Sequence, residues 1–112
     1  MSRFSEVLER LAATIAERKG ADQAVSWTAR LLANPKLAAK KLGEEAIETA
    51  LAENALETIA ESADLIYHWL VLLEARGVSL DDVAARLEDR EGLSGVAEKA
   101  GRPKEFNPDS YQ

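Results

Sequence analysis

The chain has 112 residues, 46% of them hydrophobic and 30% charged, so it can bury one modest core and has no room for a second full domain. Its formal net charge of −6 argues against a general affinity for nucleic acid or anionic membranes, because both need a basic surface. The absence of cysteine excludes disulfides, thiolate metal sites and cysteine nucleophiles. We expect one domain over residues 1–100 and a C-terminal tail over residues 101–112.

The first predicted element is an amphipathic helix near the N terminus. Gly20 closes it, with Arg18 and Lys19 in its last turn. Its apolar residues recur at helical spacing and are Phe4, Val7, Leu8, Leu11 and Ile15. A short apolar segment over residues 27–33 then predicts about two further helical turns.

A third helix is predicted where the chain restarts at Asn34 and Pro35. Asparagine suits an N-cap and proline suits the first helical position, so this helix should run over residues 35–52. Its inward residues would be Leu37, Leu42, Ile47 and Leu51.

The longest predicted helix follows Asn54, which with Glu57 resembles a capping box, and it ends at Gly77. Ser79 with Asp82 marks a last helix that continues to about Glu91. The buried face of this last helix would hold Val83, Leu87 and Leu80.

No segment alternates with a period of two, so the expected class is all-α. Short connections at residues 53–54 and 77–78 make neighbouring helices antiparallel, which predicts a bundle of four to five helices. These helices carry more apolar surface than one chain of this length easily covers, and a homodimer follows as a hypothesis.

Paired carboxylates on the two central helices are the main chemical signal. Glu45 and Glu48 are three residues apart, so both project from one helix face, about 60° apart. Glu61 and Asp64 repeat this spacing on the next helix. A tight antiparallel turn would bring the two pairs opposite each other, and Glu44 lies close enough around its helix to join them.

These acids lack the usual local compensation. Glu48, Glu61 and Asp64 have no lysine or arginine three or four positions away, and residues 42–75 contain eight acidic residues and no lysine or arginine. Clustered carboxylates without a cation raise one another's pKa. All-oxygen ligation suits Mg²⁺, or Mn²⁺. On spacing alone, the same acids fit the solvent-exposed faces of two ordinary helices equally well.

Several motifs in order resemble the phosphoribosyl-ATP pyrophosphohydrolase family. They are residues 26–32 (SWTARLL), 40–48 (KKLGEEAIE) and 61–68 (ESADLIYH), with shorter matches at 17–20, 90–92 and 94–95. The likeness covers about residues 4–100. Trp27 departs from the family, where tyrosine is frequent, and the tail matches nothing we can place.

This resemblance implies a MazG-like all-α dimer that hydrolyses phosphoribosyl-ATP to phosphoribosyl-AMP and pyrophosphate, the second step of histidine biosynthesis. It implies Mg²⁺ ligation by one acidic pair from each helix: Glu45, Glu48, Glu61 and Asp64. A carboxylate would accept the proton of the attacking water, and Glu44, Glu45 and Glu48 remain alternatives for that base.

A phosphorylated substrate also needs protein cations. Lys40 and Lys41, directly before the first acidic pair, are the best placed, and Trp27 is a candidate for nucleobase contact. Weaker candidates for these cations are Arg18, Lys19, Arg30, Arg90 and Lys99, and Ser26 and Thr28 are candidates for hydrogen bonds to phosphate or ribose. Ser26 equally suits a helix cap.

His68 is the only histidine and lies on the acidic face of its helix. We expect a structural histidine, with proton transfer or a substrate contact as the alternative. Tyr67, Trp69 and Leu70 read as core or dimer interface.

Two other functions fit the same sequence: a housecleaning (d)NTP pyrophosphohydrolase, and a non-enzymatic helical module whose acidic face binds a basic partner. The chain shows neither a signal peptide nor a stretch of about 18 apolar residues that would span a membrane. A cytoplasmic location is therefore expected.

Overall fold

Five α-helices account for the regular structure of the chain in a computed structural model that describes residues 2–91. They are α1 (Arg3–Glu17), α2 (Trp27–Ala33), α3 (Pro35–Leu51), α4 (Ala55–Ala75) and α5 (Leu80–Glu88). No strand occurs in this range. The predicted all-α class is confirmed, and the predicted tail lies outside the described residues.

Side-chain caps begin three of these helices at the predicted positions. Ser26 Oγ accepts a hydrogen bond from the Ala29 amide at 3.1 Å, and Asn34 Oδ1 accepts one from the Leu37 amide at 3.2 Å. Asn54 Oδ1 in turn accepts one from the amide of Glu57 at 2.9 Å. Each cap satisfies a backbone donor that the first helical turn leaves unpaired.

The start of α4 differs in one detail from a capping box. The Glu57 carboxylate accepts from the backbone N–H of Glu53, at 3.0 Å, where a capping box would use that of Asn54. This bond ties down the connection over residues 52–54. The turn between α3 and α4 is therefore held at both of its ends.

Two helix ends differ from the prediction. α1 ends at Glu17, so Arg18 and Lys19 follow the helix and do not form its last turn, and the chain leaves through Gly20 at φ +81°. α5 ends at Glu88, three residues before the predicted end. Both ends are followed by turns, since helix termini tighten into short-range hydrogen bonds.

Helices α1 to α4 belong to one compact unit that ends at Ser79, and α5 belongs to a second unit that begins at Leu80. In the first unit, α4 packs against α1, α2 and α3, and its contact with α3 is the most extensive. The fully buried side chains Ile15, Leu31 and Val71 come from α1, α2 and α4. The core thus lies where these three helices meet.

Two residues predicted to point inward from α3 are exposed: Ile47 is 63% and Leu51 71% accessible. The side of α3 that faces α4 carries Glu45 and Thr49, and positions two residues apart on a helix project about 160° from each other. Ile47 and Leu51 therefore point away from α4. In the second unit, Leu87 is 59% exposed, so its predicted burial is also wrong for this chain.

Candidate metal centre

Three carboxylates converge where α3 and α4 pack side by side. Glu45 on α3 and Glu61 and Asp64 on α4 each offer one oxygen, and these oxygens lie within 4.8 Å of one another. The short connection over residues 52–54 makes the two helices antiparallel neighbours. The matched spacing on consecutive helices thus brings acids from both predicted pairs to one place.

Two oxygens of this group are buried without compensation. Glu45 Oε2 and Glu61 Oε2 are both buried, and neither has a hydrogen-bond partner within residues 2–91. Burial raises the pKa of Glu45 and of Glu61, and the neighbouring Glu48 carboxylate raises each pKa further. Both effects disfavour the ionised form, as expected where like charges are brought together away from water.

The donor set fits a hard divalent cation. The converging atoms are all carboxylate oxygens, the ligand type that Mg²⁺ and Mn²⁺ prefer. A cation there would satisfy the two buried oxygens and offset the repulsion among the carboxylates. The residues present therefore suit the ion that the sequence predicts.

Glu48, the fourth predicted ligand, lies at the edge of this group. Its side chain is exposed, and none of its oxygens is among those that converge within 4.8 Å. It is nevertheless close enough to raise the pKa of both Glu45 and Glu61. The structure therefore brings three of the four predicted ligands together and places Glu48 beside them.

Glu44 is engaged with a lysine. Lys41 Nζ lies 3.1 Å from Glu44 Oε2, and the hydrogen bond to Glu44 raises the pKa of Lys41. The other predicted cation on this helix, Lys40, is exposed. Lys41 thus brings a positive charge to the rim of the acidic group, and Glu44 is partly neutralised.

Thr49 is a contributor that the sequence analysis missed. Its hydroxyl lies 2.8 Å from the carbonyl oxygen of Glu45 and 3.1 Å from that of Glu61. The first contact is the familiar bond from a helical threonine to the residue four positions earlier, and this signal was available from the sequence. The second depends on how α3 and α4 are paired.

His68 is buried, with 8% of its surface accessible. Its Nδ1 lies 2.8 Å from the Asp64 carbonyl oxygen, and its ring meets the Tyr67 ring edge to face at 4.9 Å. Tyr67 is half-buried, and its hydroxyl makes a 2.5 Å hydrogen bond with Thr28 on α2. These contacts fix the orientation of the His68 ring through its Nδ1 side.

The predicted substrate-binding residues of α2 have partners within the protein. Ser26 caps the helix, and the Thr28 hydroxyl contacts Tyr67. Arg30 donates to the Gln23 carbonyl at 3.1 Å, and its guanidinium lies 5.9 Å from the centre of the Trp27 ring. Trp27 itself is 43% exposed.

The remaining predicted cations lie elsewhere. Lys19 lines a cavity of about 230 Å³ between the end of α1 and the buried side of α2. Arg90 follows α5 in the second unit, where its amide donates to the Leu87 carbonyl at 3.0 Å. Lys99 lies outside the described residues.

Comparison with known proteins assigns the family. The model of the phosphoribosyl-ATP pyrophosphohydrolase family matches residues 8–91, which is most of the chain. The chain belongs to the phosphoribosyl-ATP pyrophosphohydrolase family. The resemblance noted in the sequence is thereby confirmed.

Curated relatives agree over nearly their whole lengths. A phosphoribosyl-ATP pyrophosphatase of Caulobacter vibrioides (strain NA1000 / CB15N) is 63% identical over 103 residues, covering 89% of this chain and 96% of the relative. The enzyme of the same name from Caulobacter sp. (strain K31) is 62% identical over 106 residues, with coverages of 92% and 99%. That of Ruegeria pomeroyi is 55% identical over 102 residues, with coverages of 88% and 97%.

Within residues 2–91, none of the helices has the length and hydropathy needed to cross a bilayer.

Proposed function

We propose that this protein hydrolyses phosphoribosyl-ATP to phosphoribosyl-AMP and pyrophosphate, the second step of histidine biosynthesis. The observation that carries the proposal is the convergence of Glu45, Glu61 and Asp64 oxygens within 4.8 Å, in a chain of this family. Substrates with a triphosphate need a concentrated positive charge at the reacting phosphates. An all-carboxylate centre can provide this positive charge by binding a metal ion.

Glu45, Glu61 and Asp64 would hold Mg²⁺, with Mn²⁺ as an alternative, and Glu48 lies beside them outside the converging group. When bound, such an ion would neutralise phosphate charge and lower the pKa of a water molecule bound to it. The protein itself contributes the geometry. Because two helices hold the carboxylates at fixed spacing, little reorganisation is needed during the reaction.

Among the three candidates for the general base, Glu48 fits best. Glu44 is paired with Lys41, and the Glu45 oxygen is part of the converging group. Glu48 is exposed and lies beside that group, so a water molecule can reach both at once. Its carboxylate would take the proton from the attacking water.

In this proposal, the lysines that bind the substrate phosphates lie on α3, and the surface that binds the adenine lies on α2. Lys40 is exposed and would contact phosphate, while Lys41 would do so beside Glu44. The partly exposed ring of Trp27, flanked by Arg30, would stack on the adenine. Ser26, Thr28 and Lys19 remain predicted substrate-binding residues of the first unit, and Arg90 remains a separate prediction in the second.

We also propose a homodimer. Four large apolar residues that are 63–81% exposed lie on the paired helices α3 and α4: Ile47, Leu51, Leu56 and Ile59. A surface of this kind on two adjacent helices is typical of helix packing between subunits. A second copy of the chain would bury it by symmetric contact.

As a biosynthetic enzyme that uses a nucleotide, the protein would work in the cytoplasm.

The decisive experiment is pyrophosphate release from phosphoribosyl-ATP, set against a panel of dNTPs, with Mg²⁺ and with a chelator. We expect turnover of phosphoribosyl-ATP that is abolished by the chelator and restored by Mg²⁺. Preferred hydrolysis of dNTPs would assign a housecleaning role. No hydrolysis of either substrate with Mg²⁺ present would favour a non-enzymatic module.

Two variants localise the activity. Glu45→Gln and Asp64→Asn keep side-chain size and remove charge at the converging oxygens, and each should lower kcat by orders of magnitude. Glu9→Gln is the matched control, because Glu9 is an exposed acid on α1. Near wild-type turnover in both site variants would refute the assignment.

A further inference from the structure

His68 lies on the same stripe of α4 as two of the converging carboxylates. It follows Asp64 by four residues and Glu61 by seven, and both spacings return to nearly the same side of a helix. Side chains on a helix lean toward its N terminus, so the imidazole covers the turn that carries Asp64. The ring is thus the next group on the face that bears the carboxylate centre.

The hydrogen bond to Asp64 determines which ring nitrogen carries a proton. A backbone carbonyl oxygen can only accept, so the 2.8 Å contact requires the proton on His68 Nδ1. In a neutral imidazole the other nitrogen, Nε2, is then an unprotonated acceptor. The helix backbone therefore selects the tautomer of His68.

This acceptor is buried and has no partner. His68 Nε2 has no hydrogen bond within residues 2–91, and the same is true of Glu45 Oε2 and Glu61 Oε2. A protonated His68 would lower the pKa of Glu45, so the two side chains lie near each other. When the carboxylates are ionised and the imidazole is neutral, these three atoms are all acceptors and none can donate to another. A donor or cation must then come from outside residues 2–91.

We propose that His68 is a positioning residue of the carboxylate centre, and that its Nε2 accepts a hydrogen bond from a water molecule in the hydration shell of the bound cation. This inference rests on the metal centre of the proposed function. Mg²⁺ in proteins usually keeps several of its waters, and each of these waters is a strong hydrogen-bond donor. An acceptor fixed by the protein backbone would orient that shell.

The first test is nitrogen-15 NMR of the full-length protein labelled at histidine, which is unambiguous because His68 is the only histidine. We expect a protonated Nδ1 and an unprotonated Nε2 in the metal-free protein, and a change in the Nε2 resonance on saturation with Mg²⁺. A proton on Nε2 of the neutral ring would overturn the proposal. An Nε2 resonance that stays unchanged while calorimetry shows that Mg²⁺ is bound would also overturn the proposal.

Two substitutions separate the two nitrogens. His68→Asn keeps a donor near the position of Nδ1 and removes Nε2, whereas His68→Gln keeps a polar group near the position of Nε2. Loss of a group that orients a metal site typically costs roughly 10- to 100-fold in metal affinity or activity. We expect this loss in His68→Asn, with Tm near that of the wild type, and partial recovery in His68→Gln.

The outcomes distinguish this inference from the proposed function. If the wild type binds Mg²⁺ and hydrolyses phosphoribosyl-ATP, and His68→Asn matches it in Mg²⁺ affinity and kcat, only the role of His68 is refuted. If calorimetry detects no Mg²⁺ binding by the wild type, the metal centre and the role of His68 are refuted together. His68→Phe, which removes both nitrogens and keeps an aromatic ring, should lose at least as much affinity as His68→Asn.

Discussion

The hydroxyl of Thr49 on α3 lies 3.1 Å from the carbonyl oxygen of Glu61 on α4, and 2.8 Å from the carbonyl oxygen of Glu45 one turn earlier on its own helix. One side chain thus joins the backbones of two candidate metal ligands. Because the hydroxyl has a single proton, it shares that proton between the two acceptors. The contact holds the two helices in the register at which their carboxylates meet.

Removing this hydroxyl should loosen the metal centre. We expect Thr49→Val, which keeps the side-chain shape, to lower the free energy of unfolding by about 1 kcal/mol, as is typical for one lost intramolecular hydrogen bond. Mg²⁺ affinity should fall as well, because the carboxylates lose their fixed spacing. Urea unfolding and calorimetry measure the two effects. Thr49→Ser keeps the hydroxyl and is the control; equal Mg²⁺ affinity in both variants would contradict the assigned role.

Mg²⁺ should stabilise the folded protein against heat. A ligand that binds only the folded state adds about 2.7 kcal/mol when its concentration is 100 times its Kd. We therefore expect Tm to rise with Mg²⁺ in the wild type and in Glu9→Gln, and to change little in Glu45→Gln or Asp64→Asn. Differential scanning calorimetry with and without EDTA measures this. A rise in Asp64→Asn equal to that of the wild type would place the ion elsewhere.

The metal-free protein should lose stability as pH rises through the acidic range. The pKa values of Glu45 and Glu61 are raised in the folded state, chiefly by burial, above their ordinary value of 4.5. Between the ordinary and the raised values, the folded state binds more protons than the unfolded state, so the free energy of unfolding falls with increasing pH. Below that window the stabilisation is fully present.

Saturating Mg²⁺ should reverse this pH dependence, because a bound cation favours the ionised carboxylates. Chemical unfolding at a series of pH values above 4.5, with EDTA and with Mg²⁺, measures both slopes. Glu45→Gln should show a smaller slope without metal. A wild-type slope of the same sign and size under both conditions would argue against a cation at these groups.

The exposed apolar surface of α3 and α4 should be sensitive to charge. We expect Ile47→Glu and Ile59→Glu to convert a dimer into a monomer, since each places a charge among side chains that a partner would bury. Val25→Glu is the control, because Val25 is 83% exposed in the segment between α1 and α2. Light scattering after size-exclusion chromatography reports the mass. A wild-type chain that is monomeric at micromolar concentration would refute the dimer.

Local signals in the sequence predicted most of the helix boundaries. Asn34 and Asn54 begin α3 and α4 because their side chains cap the next turn, and such bonds span three residues only. Spacing on consecutive helices allowed the convergence of Glu45 with Glu61 and Asp64, and the family resemblance favoured it over two solvent-exposed acidic faces.

What the sequence could not predict depends on contacts between helices. Ile47 and Leu51 look like core residues by composition, yet their side of α3 lies away from α4. The second acceptor of Thr49 is set by the pairing of α3 with α4, which no local pattern encodes. The buried Nε2 of His68 is likewise visible only once the neighbouring helices are in place.

The three converging acids all come from one hairpin, between Glu45 and Asp64, whose connection is capped at Asn54 and tied at Glu53. Closing so short a loop costs little chain entropy, and local contacts form fast. The hairpin that carries the candidate metal ligands should therefore form early in folding.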